Sequence, residues 1–180
     1  MWQLSAQNRY DDALQLIDNI LYKQQIDWLI TEKAIILAFS GEYTQYISYK
    51  DVITYSKNYF KMPNFYRFEV INYAIDFLLN RYEPKINSLY MNDKQWSKYI
   101  KYFYYELYMA ISKYKEDNFD EAINFSNELL ATNYEFLKFT AYVVLIRSYR
   151  KMNDSQMEKK YEEMLYKDPR LDKYREGINI

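Results

Sequence analysis

The residues of this chain that could do chemistry are its carboxylates, because it contains no histidine and no cysteine. Adjacent acids at two candidate helix starts are Asp11-Asp12 and Asp120-Glu121. A general acid–base pair must converge on one substrate, whereas neighbouring carboxylates on a helix point to different faces. Both pairs follow a candidate helix start, where a carboxylate is stabilised by the positive end of the helix dipole. We therefore predict a structural role for them and a protein that is not an enzyme; a helical hydrolase using Asp, Glu, Lys and Tyr is the alternative left open.

The sequence does not predict a nucleotide or metal site of the common kinds. A phosphate-binding loop needs two or three clustered glycines, but the chain has only Gly41 and Gly177. Gly41 ends an apolar segment, where a left-handed helix C-cap explains it. The segment 168–177 lacks the acid spacing of an EF-hand loop, and the usual zinc ligands, cysteine and histidine, are missing. We predict no cofactor and no bound metal.

Composition and charge favour a helical protein without a nucleic-acid partner. Hydrophobic residues make up 49% of the 180 residues, and the 2 Gly and 3 Pro fall below the average usage of about 7% and about 5%. Folds rich in β-strands depend on such turn residues. The net charge of −1 gives DNA or an anionic membrane no electrostatic reason to bind. Apolar runs fall far short of the roughly 20 residues that span a bilayer, and we predict a soluble, cytoplasmic protein.

The chain contains a repeat of about 36 residues. Five segments align on a residue that starts a predicted second helix, and these residues are 33, 39, 37 and 36 positions apart. The anchor residues are Tyr10, Tyr43, Tyr82, Phe119 and Ser155. A tetratricopeptide (TPR) unit is a pair of helices that repeats about every 34 residues. The third segment, which contains Pro84 and Asn87, supports only a short second helix.

Local signals around the anchors are those of helix pairs. Ala13 and Ala122, each three residues after an anchor, are small enough for two helices to approach closely. Asn118 and Ser155 are each followed three residues later by Glu, which is the spacing of an N-cap and its reciprocal acid. "KDPR" at 167–170 predicts the end of the last helix, because the residue before a proline leaves the helical region.

The fold class predicted from these signals is all-α. Amphipathic segments at 64–79, 93–116 and 134–151 carry apolar residues three and four positions apart. We predict about nine or ten helices in antiparallel pairs, curved into a right-handed TPR-like superhelix that forms one domain over residues 1–180. Residues 1–9 read as the tail of a first helix, so the first repeat is incomplete. We expect the native protein to have a segment before it.

The 23 tyrosines are the most unusual feature of the composition. Four of them follow one another every three residues on the predicted helix 93–116, beside an apolar stripe that includes Trp96 and Phe103. They are Tyr99, Tyr102, Tyr105 and Tyr108. Two interpretations stay open. Both faces of the helix pack against neighbouring hairpins, or the tyrosines form a ligand wall, since tyrosine offers a large contact area and a hydroxyl group.

Arg147 and Arg150 are a second candidate for binding. They lie on the first helix of the last predicted pair, and first helices line the concave groove of a TPR array. Guanidinium groups there could hold a carboxylate with two parallel hydrogen bonds. The alternative is that both arginines are surface-exposed charges that pair with acidic residues on helices.

The segment "YSKNYFKMPNFYRFEVINYAIDFLLNRYEPKI" (55–86) adds a resemblance. It is similar to the centre of the regulatory domain of the Rgg/GadR/MutR family of Gram-positive transcription regulators. The shared pattern is an aromatic helix end, a short break, an aromatic pair followed by Glu, and an aliphatic helix that ends in Phe-Leu. Here these are Tyr59-Phe60, Pro63-Asn64, Phe65 with Phe68-Glu69, and Phe77-Leu78. Residues 10–90 carry the resemblance, and the remainder fits only as generic helix pairs.

The resemblance implies a quorum-sensing regulator. Members of the family join a DNA-binding helix-turn-helix to TPR-like repeats, bind a short signalling peptide in the concave face and dimerise through the repeats. No helix-turn-helix occurs in this chain, so DNA contact would need a segment outside it. The alternative function is a stand-alone TPR-like adaptor or chaperone that holds a partner protein.

We expect the peptide to be short and largely hydrophobic, and to lie along the first helices of the pairs. The predicted peptide-binding residues are Arg67, Asn72, Tyr105, Tyr108, Arg147 and Arg150. The tyrosines would form the walls with Arg67 and Asn72. The two arginines of the last pair would hold the carboxylate or an acidic side chain of the peptide.

Overall fold

The described part of the chain is helical. The computed structural model describes residues 3–4, 7–24, 26–54, 64–81, 103–178 and 180. Its α-helices are α1 (Tyr10–Leu21), α2 (Asp27–Ser40), α3 (Tyr43–Thr54), α4 (Phe65–Leu78), α5 (Phe103–Lys115), α6 (Phe119–Leu130), α7 (Glu135–Lys151) and α8 (Ser155–Lys167), followed by a 3₁₀ helix (Pro169–Tyr174). No strand occurs within these ranges, so the all-α prediction is confirmed for them.

Two compact units make up the chain, residues 1–72 and residues 73–180. In the first unit α1 packs on α2, and α2 packs on α3. In the second unit α5, α6, α7 and α8 pack in chain order, α5 also contacts α7, and the 3₁₀ helix contacts α7 and α8. Packing between consecutive helices is therefore common to both units.

A residue with left-handed backbone lies two positions before every predicted anchor. These residues are Asn8 (φ 56°), Gly41 (φ 90°), Asn80 (φ 50°), Asp117 (φ 57°) and Asn153 (φ 59°). Glycine and short polar residues are the ones that adopt this conformation readily. Four of the anchors are the first residues of α1, α3, α6 and α8, as predicted, and the fifth, Tyr82, lies outside the described residues.

Each of the five turns is closed by the same backbone hydrogen bond. The amide just before the anchor donates to the carbonyl five residues earlier, at 2.9 to 3.0 Å. The pairs are Arg9 to Leu4, Glu42 to Leu37, Arg81 to Asp76, Asn118 to Lys113 and Asp154 to Tyr149. In the last four turns the left-handed residue also donates to the carbonyl three residues earlier, at 3.1 to 3.2 Å. This is the Schellman end of a helix, and α3, α6 and α8 start directly after three of these ends.

Side-chain caps distinguish the last two turns. Asn118 Oδ1 accepts a hydrogen bond from the Glu121 amide at 3.4 Å, as predicted for the start of α6. At α8 the cap is Asp154, whose Oδ1 accepts from the Met157 amide at 3.1 Å. The prediction of Ser155 as the cap is wrong by one position, because Ser155 is already the first helical residue.

Burial separates the inner helices of each unit from the outer ones. No residue of α4 is exposed, α2 exposes only Asp27 and Trp28, and α7 exposes only Arg150 and Lys151. The helices α1, α3, α6 and α8 each expose a polar face. At the turns that start α1 and α6, Ala13 and Ala122 are fully buried. None of the described helices has the length and apolar character needed to cross a membrane.

Candidate functional site

A buried polar cluster lies in the first unit, where α2 meets the start of α4. Glu32 and Asn64 are each 1% exposed. The side-chain amide of Asn64 donates to Glu32 Oε1 and to the Trp28 carbonyl, each at 2.9 Å. The guanidinium of Arg67 donates to the same Glu32 oxygen. A single oxygen of the buried Glu32 carboxyl group therefore accepts hydrogen bonds from both Asn64 and Arg67.

Two acceptor atoms of this cluster have no hydrogen-bond partner within the described part of the chain. They are Glu32 Oε2 and Asn64 Oδ1, and both are shielded from solvent. A buried polar group left without a partner costs about 1–3 kcal/mol. Burial raises the pKa of Glu32, while the charge of Arg67 and the hydrogen bonds from Asn64 and Arg67 act in the opposite direction. The surroundings thus favour the protonated carboxyl group more than water does.

Glu32 occupies a core position of α2. Leu29, Ile36 and Phe39 lie on the same three- and four-residue spacing, and all are buried. A charged residue within this apolar pattern is the signal that could have identified the cluster from the sequence, and Glu32 is not among the predicted site residues. Asn64 comes directly before α4, and its carbonyl accepts from the Phe68 amide at 3.0 Å.

Two of the predicted peptide-binding residues belong to this unit. Arg67 is half-buried and forms an ion pair with Glu32. Asn72 is also half-buried, and its Oδ1 accepts a hydrogen bond from the Tyr46 hydroxyl at 3.1 Å. Both side chains therefore connect α4 to another helix of the unit, and their contact with a peptide stays a prediction.

Tyr105 and Tyr108 lie half-buried on α5 in the second unit. The ring of Tyr105 meets Phe125 edge-on, with centroids 6.0 Å apart. The ring of Tyr108 lies 5.6 Å from that of Tyr73. No residue of α5 before Lys115 is exposed, which supports the interpretation that both faces pack. The remaining members of the tyrosine series, Tyr99 and Tyr102, are outside the described residues.

Arg147 is buried and holds the end of another helix. Its Nη1 donates to the Phe77 carbonyl at 2.9 Å and its Nη2 to the Leu78 carbonyl at 3.3 Å. The guanidinium also lies over the Phe77 ring, 4.7 Å from the centroid. Burial lowers the pKa of Arg147. The two guanidinium nitrogens meet carbonyls at the C-terminus of α4, where a cation is favourable.

Arg150 differs from Arg147, although one helical turn separates them. Its side chain is 46% exposed and pairs with Glu158 and Glu162 of α8, the second pair at 3.2 Å. This is the arrangement that the alternative interpretation described, a surface charge with acidic partners. An exposed ion pair of this kind contributes roughly 0–1 kcal/mol, so a ligand could compete for Arg150 at little cost.

The six predicted residues are divided between the two units. Arg67 and Asn72 belong to the first unit, and Tyr105, Tyr108, Arg147 and Arg150 belong to the second.

No protein-family model, curated protein or solved structure matches the chain.

Proposed function

We propose that this chain is a TPR-like helical-repeat domain that binds a short peptide, as the regulatory part of a peptide-responsive transcription regulator of the Rgg/GadR/MutR type. The observation that supports it is the repeated turn. Five turns with one backbone conformation and one closing hydrogen bond recur at 33 to 39 residues. Helix pairs at this spacing are typical of TPR arrays, which stack into a superhelix and bind ligands on an extended concave surface.

The ligand proposed is a largely hydrophobic peptide that carries a carboxylate. Arg67 and Arg150 are the predicted arginines with accessible side chains, 25% and 46% exposed. A guanidinium can bind a carboxylate with two parallel hydrogen bonds. Tyr105 and Tyr108 offer partly accessible rings for apolar contact. The guanidinium nitrogens of Arg147 already donate to two carbonyls at the end of α4. Its proposed role is therefore to position α4 rather than to bind the peptide carboxylate.

Fluorescence polarisation with labelled synthetic octapeptides of hydrophobic composition tests peptide binding. Arg67→Ala and Arg150→Ala should each weaken binding about tenfold to hundredfold, because a charge-assisted hydrogen bond contributes roughly 1.5–3 kcal/mol. Arg170→Ala is the matched control, since Arg170 is an exposed arginine paired with Asp168. Equal affinity in all three variants would remove the arginines from the site.

The reading frame in the native gene separates a regulator from an adaptor. An upstream helix-turn-helix favours a peptide-controlled regulator, and a natural start at Met1 favours a stand-alone adaptor that holds a partner protein.

Light scattering tests the proposed homodimer, which should have twice the 22.2 kDa mass of the chain. A monomer at all concentrations would contradict the dimer proposal.

A further inference from the structure

We propose that Arg67 is an anion-binding latch on Glu32: a ligand carboxylate draws the guanidinium away, and Glu32 then takes a proton on Oε2 and donates it in a hydrogen bond to Asn64 Oδ1. The proton comes from solvent, and no bond between heavy atoms forms or breaks. The inference rests on the proposed function only for the source of the anion, a peptide carboxylate.

The two unmatched acceptors carry the proposal. Asn64 Nδ2 and Glu32 Oε1 are 2.9 Å apart, so the amide and the carboxyl group are in direct contact. The other oxygen of each group is buried and has no donor among the described residues. An ionised carboxylate can only accept hydrogen bonds, whereas a protonated one donates through one oxygen. A proton on Oε2 would give that oxygen a hydrogen to donate to Asn64 Oδ1, so both unmatched acceptors would gain a hydrogen bond.

Arg67 controls the charge of Glu32. It is the charged side chain that faces Glu32 from α4. The neighbouring Lys33 interacts instead with Asp18 of α1 and Tyr49 of α3, and Lys33 Nζ lies 2.6 Å from Asp18 Oδ1. Burial raises the pKa of Glu32 even with Arg67 in place. Removal of the guanidinium would remove the largest influence that opposes burial.

The Arg67 side chain is more accessible to solvent than Glu32, so it is the partner that a ligand can reach. Its side chain is 25% exposed and that of Glu32 only 1%. Glu32 holds the guanidinium through one oxygen, so a ligand carboxylate on the open side can compete for it with two parallel hydrogen bonds. Loss of the counter-charge would leave a buried carboxylate unpaired, and such groups become neutral rather than stay charged. Anion binding at Arg67 and proton uptake at Glu32 are thus coupled.

An NMR titration of the chain without peptide measures this coupling. The Glu32 side-chain carboxyl carbon and the Asn64 side-chain nitrogen are followed against pH in the wild type and in Arg67→Met. We expect the Glu32 midpoint to move upward in Arg67→Met, and the Asn64 resonance to change with the same midpoint. Arg67→Lys keeps a charge without the planar fork and should shift the midpoint less; it also serves if Arg67→Met does not fold.

Arg170→Met is the matched control, because it removes an exposed arginine that also pairs with a carboxylate. It should leave the Glu32 midpoint in place. An unchanged Glu32 midpoint in both Arg67 variants, or an Asn64 resonance that does not follow it, would overturn the latch.

Sodium acetate is the probe for anion binding, with sodium chloride at equal ionic strength as the reference. At a fixed, near-neutral pH, acetate should shift the Arg67 Nε resonance and increase the protonated fraction of Glu32. Chloride should do neither. Equal responses to the two salts would overturn the competition for Arg67. A failed peptide screen would leave these results unaffected, because neither measurement uses a peptide.

Discussion

Arg147 caps the helix that ends beside Phe77: its Nη1 donates to the Phe77 carbonyl at 2.9 Å, and its guanidinium lies over the Phe77 ring. Carbonyls in the last turn of a helix have no intrahelical donor. A long side chain from α7 supplies donors to two of them in α4. The end of α4 therefore depends on a helix that is far from it in sequence.

Arg147→Met should lower the free energy of unfolding by about 2 kcal/mol, because hydrogen bonds to charged groups contribute about 1.5–3 kcal/mol. Methionine keeps part of the packing over Phe77, so the loss reports mainly on the hydrogen bonds. Arg150→Met is the control and should change the free energy by less than about 1 kcal/mol, as is usual for exposed ion pairs. Urea unfolding measures both, and equal losses in the two variants would contradict the capping role.

Glu32→Gln should stabilise the chain at neutral pH and lose this advantage in acid. Burial raises the pKa of Glu32 in the folded chain above its ordinary value of 4.5. Ionised Glu32 therefore lowers stability as pH rises from the unfolded to the folded value, and this penalty is absent below both values. Glutamine keeps an acceptor and adds an N–H for Asn64 Oδ1, so we expect a gain of about 1 kcal/mol.

Urea unfolding at neutral pH and well below pH 4.5 checks the Glu32 prediction, since the carboxyl group is protonated in both the folded and the unfolded state there. Glu163→Gln removes an exposed carboxylate from α8 that makes only an i,i+4 pair with Lys167, and it should change stability by no more than about 0.5 kcal/mol. A loss of stability in Glu32→Gln at neutral pH would show that the ion pair with Arg67 outweighs burial.

A substitution series at Gly41 tests whether the five turns are equivalent. Gly41 has a φ of 90°, and asparagine occupies the matching position at residues 8, 80 and 153. Gly41→Asn should unfold close to the wild type, whereas Gly41→Ala should lose about 1–2 kcal/mol, because a Cβ without a local polar group disfavours left-handed backbone. Thermal unfolding distinguishes the two. Equal losses would mean that this turn requires glycine for a reason of its own.

The caps of α6 and α8 should differ in strength. Asp154→Ala should cost about 1 kcal/mol or more, because its carboxylate accepts from Met157 at 3.1 Å and is favoured by the helix dipole. Asn118→Ala should cost less, since its acceptor is neutral and its hydrogen bond is 3.4 Å long. Ser155→Ala should be close to neutral. A larger loss in Ser155→Ala than in Asp154→Ala would contradict the observed cap.

The turns could be predicted from the sequence because they depend on neighbouring residues. A left-handed position, a capping side chain and the closing hydrogen bond all fall within six residues, so the four described anchors start helices as expected. The candidate sites depend on distant residues. Glu32 pairs with Arg67 over 35 positions, and Arg147 reaches Phe77 over 70. No spacing rule links such residues, and only the apolar pattern around Glu32 hinted that its charge is buried.

The repeated turn also bears on how the chain folds. A turn closed within six residues requires little loop-closure entropy, and proteins rich in such local contacts fold fast. The turns that precede α3, α6 and α8 can therefore each nucleate a helix pair before either unit is assembled. The long-range contacts then form in the slower, later steps. Substitutions at Glu32 or Arg147 should therefore change mainly the rate of unfolding. Substitutions at the turns should change mainly the rate of folding.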